Sequence, residues 1–203
     1  ATARSAVLAC PDRWYGRVVA LAHDTAADAS APDAVLSAAT AVELLRGYCR
    51  LRGRLSARLR AGAAGPPTDD RTDALLAGDY LNSAAYTALV GTDHAQVEEA
   101  FDALLAASES LYEGLDTPAA DAVSFLDETA GTLGEGAAVV GAALAGADES
   151  LRAQLGEFGR EFGTARQVRR VLASDGDSPA VTPREFDERR LRQHGELCRE
   201  AGG

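Results

Sequence analysis

LGEFGREFGTARQVRRVLASDGD, residues 155–177, reads as one amphipathic helix. Its apolar residues Leu155, Phe158, Phe162, Ala165, Val168 and Leu172 recur at three- and four-residue steps. That spacing collects side chains on one face of a helix with about 3.6 residues per turn. Gly156, Gly159 and Gly163 fall beside the same face. A position without a Cβ lets a second helix come close, so the stretch predicts a tightly packed pair of helices and a helical architecture.

The composition points the same way. Of 203 residues, 46% are hydrophobic and only 5% aromatic. Alanine dominates and β-branched clusters are few, which favours helix over strand. A chain of this length can bury one sizeable core, and a single all-α domain over residues 1–203 is expected. All 20 basic residues are arginine, and 31 acids leave a net charge of −11. Such a balance argues against nucleic acid and anionic membrane surfaces as partners. An acid-rich, lysine-free composition is also halophile-like, with a carboxylate-covered surface that stays soluble in salt. Cys10, Cys49 and Cys198 are widely spaced, with no pattern for zinc or a disulfide framework, and are expected as reduced thiols. No apolar run reaches bilayer length and no basic-then-apolar leader opens the chain. The expectation is a cytoplasmic protein without a membrane span.

Along the chain, residues 11–29 form a first helix by their apolar pattern, and Pro32-Asp33 open a long second helix to about Arg60. The second half of that helix is unusually arginine-rich. A Gly- and Pro-rich loop, residues 61–68, precedes a third helix over about 70–90. Thr92 and Asp93 cap a fourth, Thr117-Pro118 open a fifth that is rich in Gly and Ala, and residues 155–177 supply the sixth. After SDGDSP, Thr182-Pro183-Arg184-Glu185 is a capping box that opens a polar seventh helix. Seven helices on short loops describe a bundle.

Four stretches carry a family likeness. Gly159, Arg160, Gly163, Ala165, Gln167 and Val168 fit a G-R-x-x-G-x-A-F-Q-I signature; Ala41-Val42-Glu43-Leu44-Leu45 fits A-x-E-L-L; Leu75-Leu76-Ala77-Gly78-Asp79-Tyr80-Leu81 fits A-x-L-A-G-D-Y-L; and Glu128-Thr129 stand at a Lys-Thr position before a run of small residues. In this order and spacing the chain resembles the trans-type isoprenyl (polyprenyl) diphosphate synthases over about residues 18–177. The resemblance implies the family's helical bundle, trimmed at both ends. It also implies two facing aspartate-rich motifs that hold magnesium against an allylic diphosphate, because a hard cation takes oxygen ligands and neutralises the departing diphosphate.

Those acids are replaced. At the first aspartate-motif positions stand Arg52, Gly53, Arg54 and Ala57, and at the second Arg170, Val171 and Ser174, while the diphosphate-binding Lys is Glu128. Guanidinium groups donate hydrogen bonds and never coordinate a cation. No metal ligand set and no cofactor are therefore expected. The expectation is a catalytically silent homologue, a regulatory partner of an active prenyl synthase in isoprenoid biosynthesis, pairing with it or with itself as a dimer. A second possibility is a metal-independent site for an isoprenoid diphosphate, lined by Arg52, Arg54, Arg166, Gln167, Arg169 and Arg170, since arginine pairs with phosphate bidentately. Against it stands internal charge pairing, in which arginines are neutralised by acids such as Glu128. A third possibility is a prenyltransferase with displaced acids: Asp69, Asp70 and Asp73 spell D-D-x-x-D, although acids in a helix's first turn commonly serve as caps.

Overall fold

The computed structural model describes residues 2–8, 12–60, 69–116 and 121–173. Within them lie eight α-helices and one π turn: α1 Thr2–Leu8, α2 Trp14–Ala26, α3 Pro32–Arg60, α4 Asp69–Val90, α5 Val97–Asp116, α6 Ala122–Leu126, the π turn Asp127–Gly131, α7 Thr132–Leu144 and α8 Glu149–Ala173. The six helices read from residues 11 to 177 are present in order. Thr117-Pro118 and the segment 182–185 lie outside the described residues.

Helix α7, TLGEGAAVVGAAL, is the axis of the bundle because its small residues admit neighbours on every side. It packs against α2, α3, α5 and α8. A Cβ on Gly141 would run into the Val19 carbonyl of α2, and one on Gly136 into the Ala107 methyl of α5. A Cβ on Gly134 would strike the Gly159 carbonyl of α8. Around this axis the largest fully buried side chains are Leu45, Leu81, Leu89, Leu104, Leu111 and Leu144. A second, smaller core forms where Val168 meets Ala122, Phe125 and Leu126.

The boundaries differ from the sequence reading in instructive ways. Helix α2 is shorter than residues 11–29, and a separate α1 precedes it. The break sits at Arg13, which adopts φ 45° and ψ 43°; its side chain gives α2 no cap bond and instead donates from Nη1 to the Val7 carbonyl of α1 at 2.5 Å. The fifth helix divides into α6, the π turn and α7. Asp121 opens α6 by accepting the Ser124 N–H at 2.9 Å. Helix α8 begins at Glu149 rather than Leu155, capped by Asp148, which accepts the Leu151 N–H at 2.8 Å.

The face of α8 that packs inward is the glycine face. Gly156, Gly159, Gly163, Thr164 and Val168 are buried, whereas Phe158 and Phe162 are 53% and 46% exposed. The two phenylalanines continue instead into a surface stack with Trp14, whose ring lies 5.3 Å from that of Phe162. Apolar periodicity alone selected the larger side chains; close backbone approach is what the glycines impose.

Candidate functional site

Around the Ala41–Leu45 stretch of α3 the bundle interior becomes polar. Glu43, in the middle of the apolar run Ala41–Leu45, is buried on α3 with Arg46 three residues on. Arg46 Nε donates to Glu43 Oε2 at 2.7 Å, and Arg46 Nη2 donates to the Val7 carbonyl at 2.9 Å. The other oxygen, Glu43 Oε1, accepts the Gly16 N–H at 3.1 Å. Glu43 thus does for α2 what Arg13 does not, since the first N–H groups of a helix need acceptors from outside it. One buried pair joins α1, α2 and α3.

Tyr15 lies within electrostatic reach of Arg46, Cys49 and Glu43 of α3 and of Arg166 of α8. Burial raises its phenol well above the ordinary range, against the opposing pull of Arg46. Burial likewise pushes the Cys49 thiol up to about 12, against its own backbone hydrogen bond and Arg46. Beyond them, Tyr48 and Tyr112 meet edge to face at 5.4 Å, and the Tyr86 hydroxyl bonds that of Ser108. Burial, with Tyr86 and Tyr48 adding to it, pushes the Tyr112 phenol up to about 12. The cluster is one of neutral, protonated donors.

A second polar group clamps α8 to the π turn. Arg160 donates from Nε and Nη2 to Asp127 Oδ2 at 3.1 and 2.7 Å, and from Nη1 to Glu135 Oε2 at 2.8 Å. The Thr164 hydroxyl donates to Asp127 Oδ1 at 2.9 Å. Desolvation lowers the Arg160 pKa, but the bonds to Asp127 and Glu135 outweigh it and raise the value overall. The arginine of the G-R-x-x-G signature is therefore spent on holding two helices together.

The anticipated site residues divide between two helices. Arg52, Gly53 and Arg54 lie on α3, where Gly53 is buried and the arginines are half-buried. Arg166, Gln167, Arg169, Arg170 and Val171 lie on α8, with Arg169 and Arg170 exposed. Both helices border α2 and α7, and α8 packs chiefly on α7 rather than on α3. Arg166 donates to Asp12 and lies over the Trp14 ring at 5.4 Å. Arg54 and Arg170 each have contacts of their own. The expected pairing of arginines with Glu128 takes another form: Arg46, Arg160 and Arg166 pair with Glu43, with Asp127 and Glu135, and with Asp12. Glu128 Oε2 is buried with no hydrogen-bond partner. Asp73 is exposed on α4; the side chains of Ala57, Asp69 and Asp70, and all of Ser174, lie outside the described residues. Among the described residues no three His, Cys, Asp or Glu side chains are placed to hold a metal ion, and no helix is long and apolar enough to cross a membrane.

The fold recurs in solved structures. A geranyltransferase from Helicobacter pylori, complexed with magnesium and isoprenyl diphosphate, superposes with TM-score 0.72 at 18% identity over 97% of this chain and 77% of that one. A deletion mutant of the heterotetrameric geranyl pyrophosphate synthase of mint gives 0.64 at 18% identity, over 97% of this chain and 81% of that one. In sequence, the geranylfarnesyl diphosphate synthase of Aeropyrum pernix is 34% identical over 125 residues. The chain has the fold of the trans-type isoprenyl diphosphate synthases and is similar in sequence to one of them over 125 residues. No family model matches it, and the alignment spans 54% of this chain and 39% of the Aeropyrum synthase. On the synthase bundle, the Leu75–Leu81 signature occupies α4, with Gly78 and Leu81 turned inward and Asp79 and Tyr80 outward.

Four residues of the polar interior escaped the sequence reading as site residues. Glu43 and Arg46 had a signal, an acid and a base at i and i+3 inside an apolar run. Tyr15 and Asp127 had none, because their partners lie on other helices.

Proposed function

We propose that this chain is a non-catalytic subunit that pairs with an active isoprenyl diphosphate synthase. One observation carries the reading: charge is exchanged at the positions that the resemblance assigns to metal and diphosphate. Arg52, Arg54 and Arg170 replace acids, and Glu128, with a buried, unpartnered carboxylate oxygen, replaces the lysine. The cations cannot ligate magnesium. A carboxylate side chain at the lysine position opposes a diphosphate, because like charges repel. The residues present do not fit the family's magnesium diphosphate. The retained bundle leaves association as its use, and the same fold occurs in the mint enzyme described as heterotetrameric.

Three assays test this. Incubated alone with magnesium, isopentenyl diphosphate and an allylic diphosphate, the chain is expected to form no longer product. Mixed with an active synthase of the same organism, it is expected to co-elute as one species and to change the length of the products. Calorimetric titration of geranylgeranyl diphosphate, with magnesium and with the metal chelated, separates the rivals. Metal-dependent binding with turnover overturns the reading in favour of displaced acids such as Asp69, Asp70 and Asp73. Binding that survives chelation favours the diphosphate site of Arg52, Arg54, Arg166, Gln167, Arg169 and Arg170.

A further inference from the structure

Helix α1, Thr2–Leu8, has seven residues, too few to be a helix on its own. Nucleation is unfavourable, and isolated helices below about 12–15 residues are marginal in water. It is helical because it lies on α3 and α4, and its hold there is small. Of its side chains only Ala6 is buried; Ala3 and Val7 pack partly against the core, and Arg4, Ser5 and Leu8 are exposed.

The ties gather at one residue. The Val7 side chain sits over Gly47 of α3, where an added Cβ would lie 3.0 Å from Val7 Cγ2 and 3.1 Å from Leu81 Cδ1 of α4. The Val7 carbonyl accepts Arg46 Nη2 at 2.9 Å and Arg13 Nη1 at 2.5 Å. Carbonyls of a helix's last turn have no partner inside the helix, and cations suit them. Arg13 makes its bond from a left-handed backbone, the one positive φ of a non-glycine residue among the described residues, and a side chain is strained there. Helix α2 is held differently. The Gly16 N–H donates to Glu43 Oε1, and Glu43 is paired with Arg46 on its own helix, so neither bond depends on α1.

We infer that α1 is a strap that opens as a unit of its own, turning about Arg13 away from α3 and α4 while α2 and the rest of the bundle stay folded. Opening takes the Val7 carbonyl from both guanidiniums and bares Arg46, otherwise buried, to water. Arg46 lies within electrostatic reach of Tyr15 and Cys49, so the strap governs how dry that side of the interior is. Segments that switch between ordered and disordered are drawn from the least stable part of a fold. The inference is independent of the subunit reading above.

The test is native-state amide exchange of the full chain by NMR, in the wild type, Arg13→Ala and Gly47→Ala. The informative amides are Ala6, Val7 and Leu8, the three of α1 that have a helical carbonyl four residues back. In the wild type they are expected to be protected at least about threefold over an unstructured peptide, yet to exchange at least about a hundredfold faster than Val140 of α7 and with little dependence on dilute urea, as local openings do. Arg13→Ala removes one bond and keeps the strain, so it is expected to speed the three amides by about threefold to tenfold. Gly47→Ala, which pushes on Val7, is expected to act in the same direction. In both variants Gly16 and Val140 should keep their wild-type rates. Three amides that share the rate and the urea response of Val140 would overturn the strap, since α1 would then open only with the whole bundle. Amides as fast as an unstructured peptide would overturn it too, because α1 would not be docked. Loss of protection at Gly16 together with α1 would show that α1 and α2 open together, and rates that neither variant changes would remove Val7 as the latch; either result overturns the inference.

Discussion

A single methyl group separates the two kinds of glycine in this bundle. At Gly134 a Cβ would meet the Gly159 carbonyl, and at Gly163 it would lie 2.5 Å from the Ala130 carbonyl. Backbone cannot step aside as a side-chain tip can, so Gly134→Ala is expected to destabilise by about 1–3 kcal/mol or more, the usual range for overpacking. At Gly78 a Cβ would sit 3.6 Å from the Tyr48 ring, an ordinary contact. Gly78→Ala is therefore expected to stabilise by about 0.5–1 kcal/mol, since alanine costs less backbone entropy in a helix. Urea unfolding of the two variants should move in opposite directions, and two shifts of one sign would refute the packing described for α7 and α8. Glu43 makes a second residue-scale case. Glu43→Ala strands Arg46 and the Gly16 N–H, and breaking a buried pair from one side costs about 3–5 kcal/mol. Glu43→Gln keeps an acceptor for Gly16, so its loss should be clearly smaller; equal losses would mean that capping α2 contributes nothing. The glycines were legible in the sequence because a gap in side-chain size has a position. What Glu43 does was not, because the N–H group it caps lies 27 residues away.

The helices themselves were easy to read where apolar spacing and caps coincide, and hard where the backbone leaves the regular pattern. Residues 127–131 sit inside what reads as one continuous Ala- and Gly-rich helix, yet they form a π turn. Its cause is tertiary: Gly114 admits the Glu128 carbonyl, and Arg160 and Thr164 hold Asp127. Neither contact has a local sequence signature. The same clamp corrects the reading of α8, whose phenylalanines advertise an inner face that Gly159, Gly163 and Thr164 occupy. Arg160 and its two acids are 35–43% exposed, so solvent screens the attraction and each ion pair is worth about 0–1 kcal/mol. Arg160→Ala is thus expected to lower stability by about 1 kcal/mol, well short of the Glu43 variant. Its larger effect should be local, with faster amide exchange over 127–135 than in α3. Uniform protection across both helices would show that the π turn does not depend on the clamp.

At the scale of the molecule, charge and protonation act together. The chain carries a net charge of −11, yet its interior holds acids that stay neutral: the Cys49 thiol, raised from 9.0 to about 12, the Tyr112 phenol, raised from 10.0 to about 12, and the Tyr15 phenol, raised further. Unfolding returns each to its ordinary value. Below pH 9 both states hold these protons, and the groups make no pH-dependent contribution. Between about pH 9 and 12 the unfolded chain releases the Cys49 proton while the fold retains it, so the unfolded state binds fewer protons and stability falls as pH rises. For one buried group the slope approaches about 1.4 kcal/mol per pH unit, and the phenols add to it above pH 10. The urea midpoint is accordingly expected to be level from pH 7 to 8.5 and to drop steeply from about pH 9. In Cys49→Ala the onset should move toward pH 10, where only the phenols remain to titrate. A wild-type midpoint that stays level to pH 11, or an onset that Cys49→Ala leaves in place, would mean that the thiol between Tyr15 and Tyr112 is open to solvent, and the neutral interior beside the Glu43–Arg46 pair would have to be redrawn as a water-filled cleft.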